Sequence, residues 1–266
     1  MRKYELLKDD FIKTQGGYAF RIRALINFDD IKAGDLGGYI ECEENLSHDG
    51  NCWIDYFSRI IDCAKVSGNA KIKSSDISQC AKVSGNAKII ESEINGQVKI
   101  YNNAVVKNCI IKGNAEIFGN AEISYCKITD RVKIYDSAFI DGFGDIFEYN
   151  YEKIKEYAEI SGNAQIFGNT EIRGYGKYGY GVIQISGNSK IFGNAKIYAT
   201  AAISGNAQIF GNTEIDGKTY ITDNAVVFGN TKIHDCLSII KEAIIFNEYS
   251  LTHSEYVLMK MFLHIL

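Results

Sequence analysis

Four histidines, His48, His234, His253 and His264, are the side chains here whose ordinary titration range lies near neutral pH. Any one of them could act as a general base, taking a proton from an attacking hydroxyl or amine. A three-histidine zinc site needs three of them to converge, and their scatter along the chain does not supply it. His253 and His264 fall in an apolar C-terminal stretch, His234 faces outward near the end of a repeat array, and His48 stands at an aliphatic position near its start. On this reading no residue is assigned as catalytic, none as a metal ligand, and no cofactor is expected.

The seven cysteines fit core filling better than a disulfide framework. Cys52, Cys109 and Cys126 take a small inward position of the repeat, whereas Cys63 and Cys80 fall on neighbouring repeats near a corner, where a close pair could form. The glycines recur at fixed spacing as corners, so none makes a phosphate loop, and no Ser-His-Asp or paired-carboxylate arrangement stands out.

The element that must position these groups is a six-residue unit. From Ile185 to Ile233 the chain reads ISGNSK IFGNAK IYATAA ISGNAQ IFGNTE IDGKTY ITDNAV VFGNTK I, with an aliphatic residue at 185, 191, 197, 203, 209, 215, 221, 227 and 233. In an extended chain Ala207 and Ile209 point one way and Gln208 and Phe210 the other, and Gly211-Asn212 supplies a corner. Three such sides close a triangular coil, and stacked coils bury columns of Ile and Ala. From Val66 the pivots Val83, Ile100, Ile117 and Ile134 recur every 17 residues, because one side of each coil is one residue short. On the short sides Ser75, Ser92, Cys109 and Cys126 hold the small inward position.

This spacing resembles the hexapeptide repeat of left-handed parallel β-helices. The resemblance implies an all-β, single-stranded left-handed parallel β-helix of about ten triangular coils of 17–18 residues. The domain reading is an N-terminal β cap over 1–47, the β-helix over 48–240 with insertions at 141–153 and 173–182, and a C-terminal strand and helix over 241–266. Within the cap, Tyr18 to Ile26 alternates as a half-buried strand. The helix rests on capping-box spacing from Thr252 to Glu255 and on apolar residues that include Leu258 and Phe262. The stretch NFDDIKAGDLGGYIECEENLSHDGNCWI, Asn27 to Ile54, followed by GNA repeats, is similar to little-characterised bacterial and prophage β-helix proteins of the YdcK type. That family implies a fold and supplies no agreed activity.

A net charge of −4, with alternating Lys, Gln and Glu at the polar repeat position, leaves no footprint for nucleic acid. The sequence shows no membrane-length apolar run and no signal peptide, from which a cytoplasmic protein is expected. Register puts Phe167, Phe192, Phe210 and Phe228 in one outward column, and Tyr101, Phe118 and Tyr135 in another. Beside the first runs a charge ladder of Glu171, Lys196, Glu214 and Lys232. Those aromatic columns, with Tyr175, Tyr178 and Tyr180 of the second insertion and Leu258 and Phe262 of the C-terminal helix, are the expected interaction surface. The functional expectation is a non-enzymatic β-helical scaffold that binds a protein partner or itself as a homo-oligomer, dimer or trimer. In view of the prophage resemblance, one form is a phage-encoded inhibitor of a host defence factor. The alternative is an acyl-CoA-dependent acyltransferase, since many left-handed β-helices are acyltransferases.

Overall fold

The computed structural model describes residues 1–142, 145–147, 153–155, 157–176, 179–234, 237–246, 250–252 and 256–257. The chain forms two compact units, Met1–Asn120 and Ala121–Leu266. Each is made of short strands that pair in parallel with the strand one coil away, on three faces, and the fold is a left-handed parallel β-helix.

In the first unit the 17-residue period is visible as direct pairing. Lys71–Lys73, Lys88–Ile90 and Val105–Lys107 stack in register on one face, and Lys65–Val66, Lys82–Val83, Lys99–Ile100 and Glu116–Ile117 on another. Three longer strands precede the coils. β1 (Tyr4–Lys13) and β2 (Tyr18–Ala24) are antiparallel, and β3 (Leu36–Ile40) pairs antiparallel with β2 and parallel with Arg59–Ile60. The open edge that a solenoid would present on that face is thereby paired.

In the second unit the period lengthens to 18 after Gln184–Ile185, which pairs with Ala201–Ile203 and through it with Thr219–Ile221. The side chains that the repeat sends inward are buried: Ile185, Ile191, Ile197, Ile203, Ile209 and Ile215 are at most 1% exposed, with Ala195 and Ala207 at 0% beside them. Each such isoleucine contributes roughly 1.5–3 kcal/mol through burial. Both insertions carry antiparallel hairpins, Asp145–Phe147 with Lys153–Lys155 and Tyr175–Gly176 with Gly179–Tyr180.

The short sides show why Ser or Cys replaces Ala there. Ser75 Oγ donates to the carbonyl of Lys73 at 2.7 Å and accepts from the N–H of Ser92 at 3.0 Å. Ser92 Oγ repeats the pattern with Ile90 and with the N–H of Cys109. The buried hydroxyls therefore accept from backbone N–H groups that the missing residue would otherwise leave unpaired.

At the corners, glycine and asparagine divide the work. Gly205 adopts φ +67, and a Cβ there would stand 2.7 Å from the backbone N and O of Asp223 in the next coil, so both conformation and contact require glycine. The asparagine that follows forms an amide ladder: Nδ2 of Asn163, Asn188 and Asn206 each donates to Oδ1 of the asparagine one coil on, at 2.9 Å every time.

The expected C-terminal helix is corrected in part. Thr252 ends a strand, Ser250–Thr252, and Tyr256–Val257 pairs in parallel with Leu237–Ile239, so paired strands stand on either side of residues 253–255. The local Thr-x-x-Glu spacing loses to strand pairing with the preceding coil. Leu258 and Phe262 lie outside the described residues. Among the described residues no helix is long and apolar enough to cross a membrane.

Cys63 and Cys80, one coil apart, form a disulfide that closes a loop with a sequence separation of 17. Replacing both with serine is expected to remove about 3 kcal/mol of stability in the first unit. The measurement is denaturant unfolding followed by the fluorescence of Trp53, the single tryptophan. Reductant should lower the midpoint of the natural protein and leave that of the double variant where it was.

Candidate functional site

The two described histidines differ in what their rings are free to do. His48 sits against the N-terminal strands, its ring stacked on Tyr4 with centroids 4.3 Å apart. Its Nδ1 accepts the backbone N–H of Lys3 at 3.2 Å, and Nε2 lies 3.7 Å from Glu43 Oε2. With Nδ1 occupied as acceptor, the neutral ring carries its proton on Nε2. His48 is thus a packing and hydrogen-bonding residue of the first unit, with no lone pair to offer as a base. Tyr4 beneath it donates to the carbonyls of Leu46 and Glu43, and burial pushes its phenol up.

His234 stands in a different setting, on one outer face of the second unit. That face is built from Phe139–Asp141, Glu171–Arg173, Lys196–Tyr198, Glu214–Asp216 and Lys232–His234, paired in parallel in that order. The middle residue of each strand is buried, so the residues on either side of it form two outward columns. One column is Phe139, Glu171, Lys196, Glu214 and Lys232; the other is Asp141, Arg173, Tyr198, Asp216 and His234. Neighbours within a column are separated by the strand spacing of about 4.8 Å.

Asp216 is paired in register with His234 and is only 3% exposed, with Oδ1 accepting the N–H of Gly217 at 2.8 Å. A desolvated carboxylate one coil from a half-buried imidazole places a negative charge near the ring. One coil before Asp216, the phenol of Tyr198 is pushed up to about 12, chiefly by burial and then by Glu171 and Glu214. It therefore remains an O–H donor through the neutral range. Arg173 donates from Nε to Glu171 Oε1 at 2.6 Å and from Nη1 to the Tyr175 hydroxyl, and its guanidinium lies over the Phe139 ring, 4.7 Å from the centroid. Lys232 and Glu214 approach to 3.7 Å. The face thus gathers a candidate base, a carboxylate behind it, a protonated phenol and a fixed arginine within four coils.

The interaction residues expected from the sequence are placed as follows. Phe167, Phe192, Phe210 and Phe228 do form one column, with ring centroids 4.7–5.0 Å apart and planes within 9°. Tyr135 stacks on Phe167 at 4.8 Å and Phe246 on Phe228 at 5.4 Å, so both extend this column. Tyr101 and Phe118 stack at 4.9 Å in the first unit. Tyr175 borders the histidine face through Arg173, and Tyr180 lies in the strand opposite it. Tyr178, Leu258 and Phe262 lie outside the described residues. Sequence reasoning treated His234 as isolated and missed Asp216, although the 18-residue period that separates them was the available signal. Among the described residues no cluster of three or more His, Cys, Asp or Glu could hold a metal.

No protein-family model matches the chain. Over 85 residues it is 34% identical to a protein of Escherichia coli strain K12 described as "Uncharacterized acetyltransferase YdcK"; the match covers 29% of this chain and 26% of that protein. The chain therefore matches about a quarter of the relative's length. This finding overturns the expected non-enzymatic scaffold: the relative is named as an acetyltransferase, and the hexapeptide-repeat fold is one on which acyltransferases are built. The reading of the chain as a phage-encoded inhibitor falls with it.

The aromatic column yields a stability prediction. Phe210→Ala removes two stacked neighbours at once, and each such pair contributes about 0.5–1.5 kcal/mol beyond area burial. A loss of about 1–3 kcal/mol in denaturant unfolding is expected; an unchanged midpoint would mean that the stack adds nothing to the fold.

Proposed function

We propose that this chain is an acyl-CoA-dependent acyltransferase of the hexapeptide-repeat class, with His234 as general base. The observation that carries the reading is the buried carboxylate of Asp216, one coil from His234 in the same outward column. Its fold and the name borne by the matched Escherichia coli protein support the same class.

In this reading His234 takes the proton of an acceptor amine or hydroxyl as the acceptor lone pair attacks the thioester carbonyl. The tetrahedral intermediate then collapses with cleavage of the carbon–sulfur bond, and the proton passes to the departing thiolate. Asp216 acts through His234 as a positioning residue: its charge, one coil away, offsets that of the imidazolium formed in the first step. Tyr198 and Arg173 border the approach to the base. Tyr198 offers a neutral hydrogen-bond donor, and Arg173 a guanidinium held in place by Glu171 and the Phe139 ring.

The test is thiol release from acetyl-CoA in the presence of a panel of amines and sugars, together with thermal shift on acetyl-CoA alone. His234→Gln is expected to lower turnover by about 10²–10⁴ while the thermal shift persists. Asp216→Asn should lower kcat more than it changes KM. Absence of both turnover and thermal shift in the natural protein would refute acyl transfer. Full activity in His234→Gln would move the base elsewhere.

A further inference from the structure

A separate concavity lies wholly within the unit Met1–Asn120, where the segment from Asp29 to Leu36 stands beside Trp53, Tyr56 and the outer side of Lys71–Lys73; its volume is about 680 Å³. That is within the range of small-molecule sites. One wall is fixed by ion pairs, since Lys71 Nζ lies 2.8 Å from Asp29 and 3.2 Å from Asp30. The bond from Lys71 also holds the Asp30 carboxyl below its ordinary range.

Tyr56 is 48% exposed in this groove, and its immobility is built in. The guanidinium of Arg21 lies over its ring, 3.7 Å from the centroid. Arg21 is itself pinned, with Nε donating to Asp10 Oδ2 at 2.7 Å and Nη1 to the carbonyls of Gly37 at 2.9 Å and Tyr56 at 3.2 Å. Around this platform stand two acceptors, Asp35 and Asp55, and two donors, Lys73 and Lys88. Neither lysine has a carboxylate partner among the described residues.

We infer that this groove binds a saccharide. Its titratable lining is Asp29, Asp30, Asp35 and Asp55 against Lys71, Lys73 and Lys88, so the two signs nearly cancel and give little field for a polyanion or a polycation. Donors and acceptors side by side suit a neutral ligand whose hydroxyls each donate and accept. A rigid aromatic ring, about half exposed beside these polar groups, suits the apolar C–H face of a pyranose ring, and it loses little freedom when covered. This inference is independent of the acyl-transfer reading, which concerns the other unit.

Trp53 is the single tryptophan and lines the groove, so its fluorescence reports occupancy without any assay of activity. The full chain is titrated with glucose, N-acetylglucosamine, maltotriose and chitotriose, with ATP as the charged comparison. At least one saccharide is expected to give a saturable change. Tyr56→Ala, and separately Asp35→Asn combined with Lys73→Met, should weaken that binding by about tenfold or more, with unchanged circular dichroism. A flat response to all four sugars, tighter saturation by ATP than by any sugar, or wild-type affinity in Tyr56→Ala would each overturn the proposal.

Discussion

Every coil takes its backbone hydrogen bonds from the coil beside it, and this constraint governs the rest of the molecule. In the second unit the N–H groups of Gln165, Lys190, Gln208 and Val226 donate to the carbonyls of Ser189, Ala207, Ala225 and Ala243, at 2.8–2.9 Å. A slip of one residue would turn Ile209 outward and Gln208 inward, so the core and the ladder enforce one register together. Proline would delete a rung at almost any position, and the sequence has none. The described hairpin at Tyr175–Gly176 follows the strand Glu171–Arg173, so it interrupts the connection between strands and leaves the rungs intact.

Most of the fold was legible because inward positions carry a size code that survives changes of period. Ile, Val, Ala and the small residues of the short sides were all placed correctly by alternation, and they are buried. What alternation could not report was hydrogen bonding. Ser75 and Ser92 were read as small, whereas their hydroxyls also complete the ladder at the point where a residue is missing. The corner asparagines were read only as part of the Gly-Asn corner, whereas their amides bond from coil to coil. Tyr135 was assigned apart from Phe167 because the insertion between them breaks the count of residues; the stack across it is set by coil geometry. At the C-terminus a local capping pattern misled, because Tyr256–Val257 is held by a strand remote in sequence.

The site was less legible for a related reason. Catalytic motifs are usually sought as short local spacings or as clusters of one residue type, and by that standard four scattered histidines looked inert. A parallel solenoid assembles its surface groups differently, one residue per coil at the repeat period. Asp216 and His234 are 18 residues apart and adjacent in space. Scarcity of histidine was thus weak evidence against chemistry, since one base with one well-placed carboxylate suffices. His48 shows the converse: it lies near other titratable groups, but its acceptor nitrogen is already taken by the backbone of Lys3.

The burial of Asp216 is the detail that sets its column apart from an ordinary charge ladder. On the same face Lys232 and Glu214 lie largely in solvent and pair weakly, at 3.7 Å. A carboxylate that is only 3% exposed has lost most of its water, and the N–H of Gly217 restores part of that loss. Its field is then less screened along the column, where the next side chain is His234. A neutral imidazole gains little from that field and an imidazolium gains much. The proposed base role of His234 would draw on that difference between the neutral and charged ring.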